Sequence, residues 1–172
     1  MSNYRRSQSK GGTFFFTVVT HNRQMIFKNT ENVRTLRRFI NEVCDELPFE
    51  EVACVIMHGH IHSFWRLPET DNDFSRRWGM IKARFTKLLR YGVASSCNQE
   101  IWQQRFWEHE IRNTEDLNNH LDYLHYNPVK HGYVDKVADW KYSSFHRFVD
   151  KGYYDIDWGS GVVIKNMAGF GE

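Results

Sequence analysis

His60-Ile61-His62 sets two imidazoles two residues apart, directly after the apolar run Val52 to Met57. In an extended strand residues i and i+2 share a face about 6.5–7 Å apart, so both rings can converge on one ion. With nine histidines in the chain, the pair reads equally well as two ordinary strand histidines. A reactive site needs a further ligand and a reacting group. Leu117 to Asn127 supplies candidates for both: at about 100° per residue, Leu117, Leu121 and Leu124 form a buried stripe, and Tyr123, Asn127 and His120 fall along one flank of it. A tyrosine hydroxyl can serve as a covalent nucleophile, and an Asn carbonyl one turn on as a hard oxygen ligand. Both are also common as helix-edge packing residues. Tyr126 falls opposite the stripe, which predicts a surface position.

These side chains have to be presented by the elements that the pattern predicts. Thr13 to Thr20 is apolar, aromatic and β-branched, the signature of a buried strand entered through Gly11-Gly12. Val33, Leu36, Ile40, Val43 and Leu47 recur at helical spacing over 31–47, with Asn29 or Thr30 as N-cap and Pro48 as stop. Val52 to Met57 and His60 to Leu67 read as two strands meeting at Gly59, with His58 in the turn and Pro68 closing the second. A second helix is expected over Phe74 to Tyr91. Trp102 to Arg112 is expected to be a loop leading to a short strand, with Trp102, Phe106 and Trp107 in the core. A third helix runs from Thr114 to Asn127, where Pro128 should end it because proline biases its predecessor away from the α region. A short helix near Ser143 to Lys151 precedes a Gly-rich end. Strand, helix, strand, strand, helix, strand, helix implies an α+β fold with an antiparallel sheet, most simply in a ferredoxin-like topology.

A chain of 172 residues with 41% hydrophobic content suits one domain over 1–172, with a basic arm at 1–12 and a flexible tail from about 159. It is too short for the eight-stranded barrel of roughly 250 residues on which other His-x-His hydrolases are built. Cys44, Cys54 and Cys97 make neither a disulfide framework nor a cysteine zinc site, which points to a reducing, cytoplasmic compartment. Neither a signal peptide nor a membrane span is visible. Arg76, Arg77, Lys82, Arg84, Lys87 and Arg90 follow one another without an acidic residue, while Glu42, Asp45, Glu46, Glu50 and Glu51 cluster elsewhere. That segregation fits a polyanion-binding face backed by an acidic one, and equally a solvated helix face.

Several motifs in order resemble the REP-associated tyrosine transposases, a branch of the single-tyrosine HUH transposases. They are Tyr4-Arg5-Arg6 with Gly11-Gly12-Thr13-Phe14-Phe15-Phe16-Thr17, His60-Ile61-His62, Phe64-Trp65-Arg66-Leu67-Pro68, and Trp102-Gln103-Gln104-Arg105-Phe106-Trp107-Glu108-His109. His120-Leu121-Asp122-Tyr123, Asn127-Pro128-Val129-Lys130-His131-Gly132 and Trp140-Lys141-Tyr142-Ser143-Ser144-Phe145-His146 complete the set. Where that family commonly has Pro and an acidic residue before the histidine pair, this chain has His58 and Gly59. The resemblance implies a ferredoxin-like HUH nuclease fold. It implies Tyr123 as nucleophile on single-stranded DNA, giving a 5′-phosphotyrosine adduct and a free 3′-hydroxyl. It also implies His60, His62 and Asn127 as ligands to Mg²⁺ or Mn²⁺, and REP hairpins as substrate. Expected DNA contacts are Arg5, Arg6 and Lys10 in the arm, Arg76, Arg77, Lys82 and Arg84 on the second helix, and Arg105 and Arg112 beside the third. The alternative is a REP-hairpin-binding protein with vestigial chemistry. A cytoplasmic protein bound to the nucleoid through DNA is expected, and both a monomer and a homodimer are compatible with the sequence.

Overall fold

The computed structural model describes residues 7–92 and 100–161; Arg5, Arg6, Cys97 and most of the tail lie outside them. In chain order the elements are β1 (Gly12–Val19), α1 (Thr30–Glu46), β2 (Glu50–Ile56), β3 (His60–Leu67), α2 (Phe74–Gly92), β4 (Trp107–Glu110), α3 (Thr114–Lys130) and α4 (Phe145–Asp150). The strands form one antiparallel sheet in the order β2-β3-β1-β4. This is the split βαβ arrangement expected from the element order.

Alternation along the strands feeds two cores, because successive side chains point to opposite faces. Phe14, Phe16, Val18, Ile61, Trp65 and Leu67 meet α1 and α2 through Leu36, Ile40, Val43, Trp78 and Phe85. Phe15, Phe64, Val55 and Met57 meet α3 through Leu121, Tyr123 and Leu124, together with Trp140 and Phe148. Both faces are therefore covered, which is why β1 reads as an uninterrupted apolar run. Trp102, Phe106 and Trp107 all join these cores, as expected. No helix among the described residues is long and apolar enough to cross a membrane.

Most boundaries move by one or two residues from the sequence reading, and one moves for an instructive reason. Pro128 lies inside α3, which continues to Lys130. Proline removes one amide donor to the preceding turn, yet the ladder resumes where His131 N–H donates to the Asn127 carbonyl at 3.0 Å. Pro128 is itself buried, so packing outweighs the local bias. Tyr126 is also a correction: it is 9% exposed and packs with Val137 and Phe145. The segment after α3 folds back over that flank, a partner no helical wheel contains.

Gly59 sets the turn from which the histidine strand starts. A Cβ there would lie 2.8 Å from the Arg23 carbonyl oxygen. The Gly59 carbonyl accepts from both the Thr20 amide, at 3.0 Å, and the Thr20 hydroxyl, at 2.8 Å. His58 lies in this turn, as expected.

Candidate active site

His60, His62 and Phe64 share the sheet face that α3 covers, since they sit at even positions of β3. The two imidazole rings are 4.8 Å apart at 80° to one another. Both are buried, and so are Tyr123 and Asn127 on the facing helix. Tyr123 stands edge-on to His62 with ring centroids 5.2 Å apart. One turn further on, Asn127 Oδ1 comes within 3.3 Å of His60 Nε2. The i, i+4 spacing on α3 thus aligns with the i, i+2 spacing on β3, and the structure brings all four sequence-chosen residues together.

Three neighbours stand in the ordered motifs without a site role that spacing could assign. Thr17, the cross-strand partner of His62, places its hydroxyl 2.9 Å from His62 Nδ1. That contact orients the ring and directs Nε2 toward the site, the usual role of a residue behind a metal-binding histidine. Lys130 Nζ lies 4.8 Å from the centroid of the Tyr123 ring, and the His131 ring is 5.1 Å from that of His60. Two imidazoles and an amide oxygen around one spot form a donor set that fits a divalent cation.

A second cluster occupies the other end of α3. His109 on β4, Asp116 in the first helical turn and His120 bring their donor atoms within 4.8 Å of one another, a set that could also hold a metal ion. Asp116 Oδ2 lies 2.8 Å from His109 Nε2 and 2.9 Å from the Arg112 amide. His120 Nδ1 lies 2.8 Å from the Asp116 carbonyl oxygen and 3.1 Å from its carboxylate. Burial opposes the Asp116 charge, but the Arg112 amide and His109 outweigh it and hold the carboxyl below its ordinary range. Burial also lowers the His120 pKa, against the pull of Asp116.

The expected DNA contacts divide. Lys10, Arg76, Arg105 and Arg112 are exposed, and Arg105 and Arg112 flank β4 on the segments that enter and leave it. Arg77 is a correction: its side chain is 1% exposed and donates to the carbonyls of Leu47, Pro48 and Asp73 and to the Asp71 carboxylate. Arg84 pairs with Glu42 and Glu46 of α1, so its charge is neutralised across the α1–α2 contact. Lys82 donates to the Gln103 carbonyl at 2.6 Å. All of α2 packs on the sheet face opposite Tyr123. A separate cavity of about 340 Å³, lined in part by Arg37, Lys141 and Arg147, is not part of this site. Arg37 pairs there with Glu51, and Arg147 donates to the Val52 carbonyl.

Comparison with known proteins gives a consistent result. Residues 10–127 match the family model for IS200-like transposases. A REP-associated tyrosine transposase from Escherichia coli is 48% identical over 164 residues, covering 95% of this chain and 94% of that protein. A putative REP-associated tyrosine transposase from Haemophilus influenzae is 44% identical, covering 96% of this chain and 97% of its own. A solved structure of a REP-associated tyrosine transposase bound to a REP hairpin superposes with a TM-score of 0.85 at 47% identity, covering 100% of this chain and 98% of that one. A putative transposase from Deinococcus radiodurans shares the fold, with a TM-score of 0.51 at 13% identity, covering 67% of this chain and 91% of that one.

Proposed function

The chain belongs to the IS200-like transposases, in their REP-associated tyrosine branch, and on that footing we propose that it cleaves and rejoins single-stranded DNA at REP hairpins. The observation that carries the reading is the convergence of Tyr123 on His62 at 5.2 Å and of Asn127 on His60 at 3.3 Å. The Tyr123 phenolic oxygen attacks the scissile phosphorus and gives up its proton. The bond from phosphorus to the 3′-oxygen breaks, that oxygen takes up a proton, and a free 3′-hydroxyl leaves while the 5′ side stays on the enzyme as a phosphotyrosine. The same steps in reverse rejoin strands. Because α3 is packed on the sheet through Leu121 and Leu124, the phenol is held in place rather than searching for its target.

His60, His62 and Asn127 would hold a divalent ion, Mg²⁺ or Mn²⁺. An ion bound there would supply polarisation of the scissile phosphate and offset charge developing on its oxygens. Two imidazoles alone would favour a softer transition metal, so this choice of ion rests on the family. Thr17 keeps the His62 ring aligned for that role. Among exposed cations, Lys10, Arg105 and Arg112 contact the DNA, whereas Arg76 lies on α2 across the sheet; Arg105 and Arg112 lie toward the edge of the sheet that α3 approaches through Asp116 and His109. Arg5 and Arg6 complete the set from the arm.

A second reading, a hairpin-binding protein without chemistry, is favoured by one observation: Tyr123 is 0% exposed, so the phenol has to be uncovered before it can meet a phosphate. The two readings separate on a denaturing gel. Single-stranded REP hairpins with both flanks, incubated with Mn²⁺, give a protein–DNA adduct that EDTA and Tyr123→Phe abolish and Tyr126→Phe keeps. Tight binding with neither adduct nor cleaved strand establishes the second reading instead.

A further inference from the structure

Three aromatic rings lead away from His60 along the turn that ends α3. Gly132 has φ of +68°, its amide donates to the Val129 carbonyl, and that of Tyr133 reaches back to the Pro128 carbonyl, both at 2.9 Å. This Schellman closure requires a residue tolerant of the left-handed region and reverses the chain just past His131. The reversal puts the His131 ring 5.1 Å from His60 and 5.7 Å from Tyr133. Tyr133 in turn lies 4.3 Å from His58 at 34° and 5.5 Å from Trp140 at 30°.

The burial of these rings differs from that of the neighbouring core. Phe15, Phe64 and Trp65 are 0% exposed, whereas His58, His131 and Tyr133 are all half-buried. Packing therefore leaves part of each of these residues open to solvent, in a row that starts at the histidine pair. Lys130, one residue before His131, is exposed and projects a cation over Tyr123. Single-stranded nucleic acid is held by such a pairing of π-faces for bases and cations for phosphates. Duplex DNA hides its base faces and would gain nothing from the rings.

We propose that His131, Tyr133 and His58 form a stacking platform for an unpaired nucleobase beside the scissile phosphate, with Lys130 meeting the adjoining backbone. The platform rests on the nuclease reading above and specifies which part of the substrate that site grips. Stacking tolerates any base, so it fixes the position of the strand and leaves sequence choice to other contacts. Tyr133 acts here as a positioning residue.

The test uses the full chain carrying Tyr123→Phe, so that no strand is cut, and REP hairpin oligonucleotides with 2-aminopurine placed at one flanking position at a time. Stacking quenches the probe at one or two adjacent positions. Tyr133→Leu, which keeps apolar bulk without the π-face, relieves the quenching and weakens binding about 10-fold, while Tyr133→Trp restores both. An abasic site at the quenched position weakens binding of the parent protein by a similar factor and has no further effect in Tyr133→Leu. His131→Ala reads the same platform from its other side and relieves the quenching in part. A quenching pattern unchanged by both Tyr133→Leu and His131→Ala overturns the platform. If the chain with Tyr123 intact still forms its metal-dependent adduct in that case, the nuclease reading survives. Absence of both adduct and hairpin binding overturns the nuclease reading itself.

Discussion

Along α3, a carboxylate is present at one histidine cluster and missing from the other. At the N-terminal end Asp116 sits 2.8 Å from His109 Nε2 and 3.1 Å from His120 Nδ1. Towards the C-terminal end His60 faces the neutral amide of Asn127 and His62 the hydroxyl of Thr17, and among the described residues no carboxylate joins them in a three-donor group. In the first cluster Asp116 accepts from the Arg112 amide and faces both histidines, which ties β4 to the start of the helix. On the reading proposed above the ligands of the second are the neutral side chains of His60, His62 and Asn127, so a divalent ion held there would keep its charge for a DNA phosphate to balance. On that same reading, similar side chains act as a brace at one end and a reactive centre at the other, and the carboxylate decides which.

The sharpest test of this contrast is metal dependence. His60→Ala should reduce Mn²⁺-dependent adduct formation by at least about 100-fold, since an ion supplies several kcal/mol to such a transition state. Asp116→Asn should leave that dependence in place. A Mn²⁺ affinity that tracks Asp116 rather than His60 in calorimetric titrations would reverse the assignment of brace and centre.

Stability should respond the other way. Asp116→Ala leaves His109 and the Arg112 amide without their acceptor, at a cost of about 1–3 kcal/mol, read as a lowered urea midpoint. Asn127→Ala should change that midpoint less while abolishing the adduct. The brace should also weaken in acid. The His120 pKa lies below its ordinary 6.5 when folded, so the unfolded chain binds more protons below that pH and stability falls as pH drops through 6.5. Asp116, also lowered, extends the loss below its ordinary 3.8. Thermal melts from pH 7 to 3 should show this decline, and Asp116→Asn, which removes the carboxylate that pulls the His120 pKa up, should steepen it through 6.5 while losing the part that lies below 3.8.

The smallest effects distinguish the two faces of the sheet. Arg112→Ala should weaken hairpin binding and reduce the slope of log K against log salt by about one. Arg84→Ala, already paired with Glu42 and Glu46, should leave that slope unchanged and lower stability slightly. An equal slope change in both would put DNA on the α2 face as well.

Much of this was legible in the sequence because short-range periodicity dictated it. The apolar run of β1, the two faces of α3 and the turn at Gly59 follow from patterns over ten or so residues. Tyr123 and Asn127 could be paired from helical spacing, and His60 with His62 from strand spacing. Pro128, Tyr126 and Arg77 show where that reading ends. Each local rule was sound, and each was outweighed by a partner distant in sequence: the segment after α3 covering Tyr126, and the carbonyls of Leu47 and Pro48 capturing Arg77.

By itself the sequence determined which elements form, which residues are candidates to react and, through ordered motifs, the family to which they belong. Only the tertiary structure decided that Thr17 aligns His62, that Asp116 occupies one histidine cluster and not the other, and that the basic helix lies across the sheet from the tyrosine. The reason is physical: periodicity records which face of its own element a side chain occupies, whereas charge neutralisation and hydrogen-bond partnership depend on what the fold brings to that face.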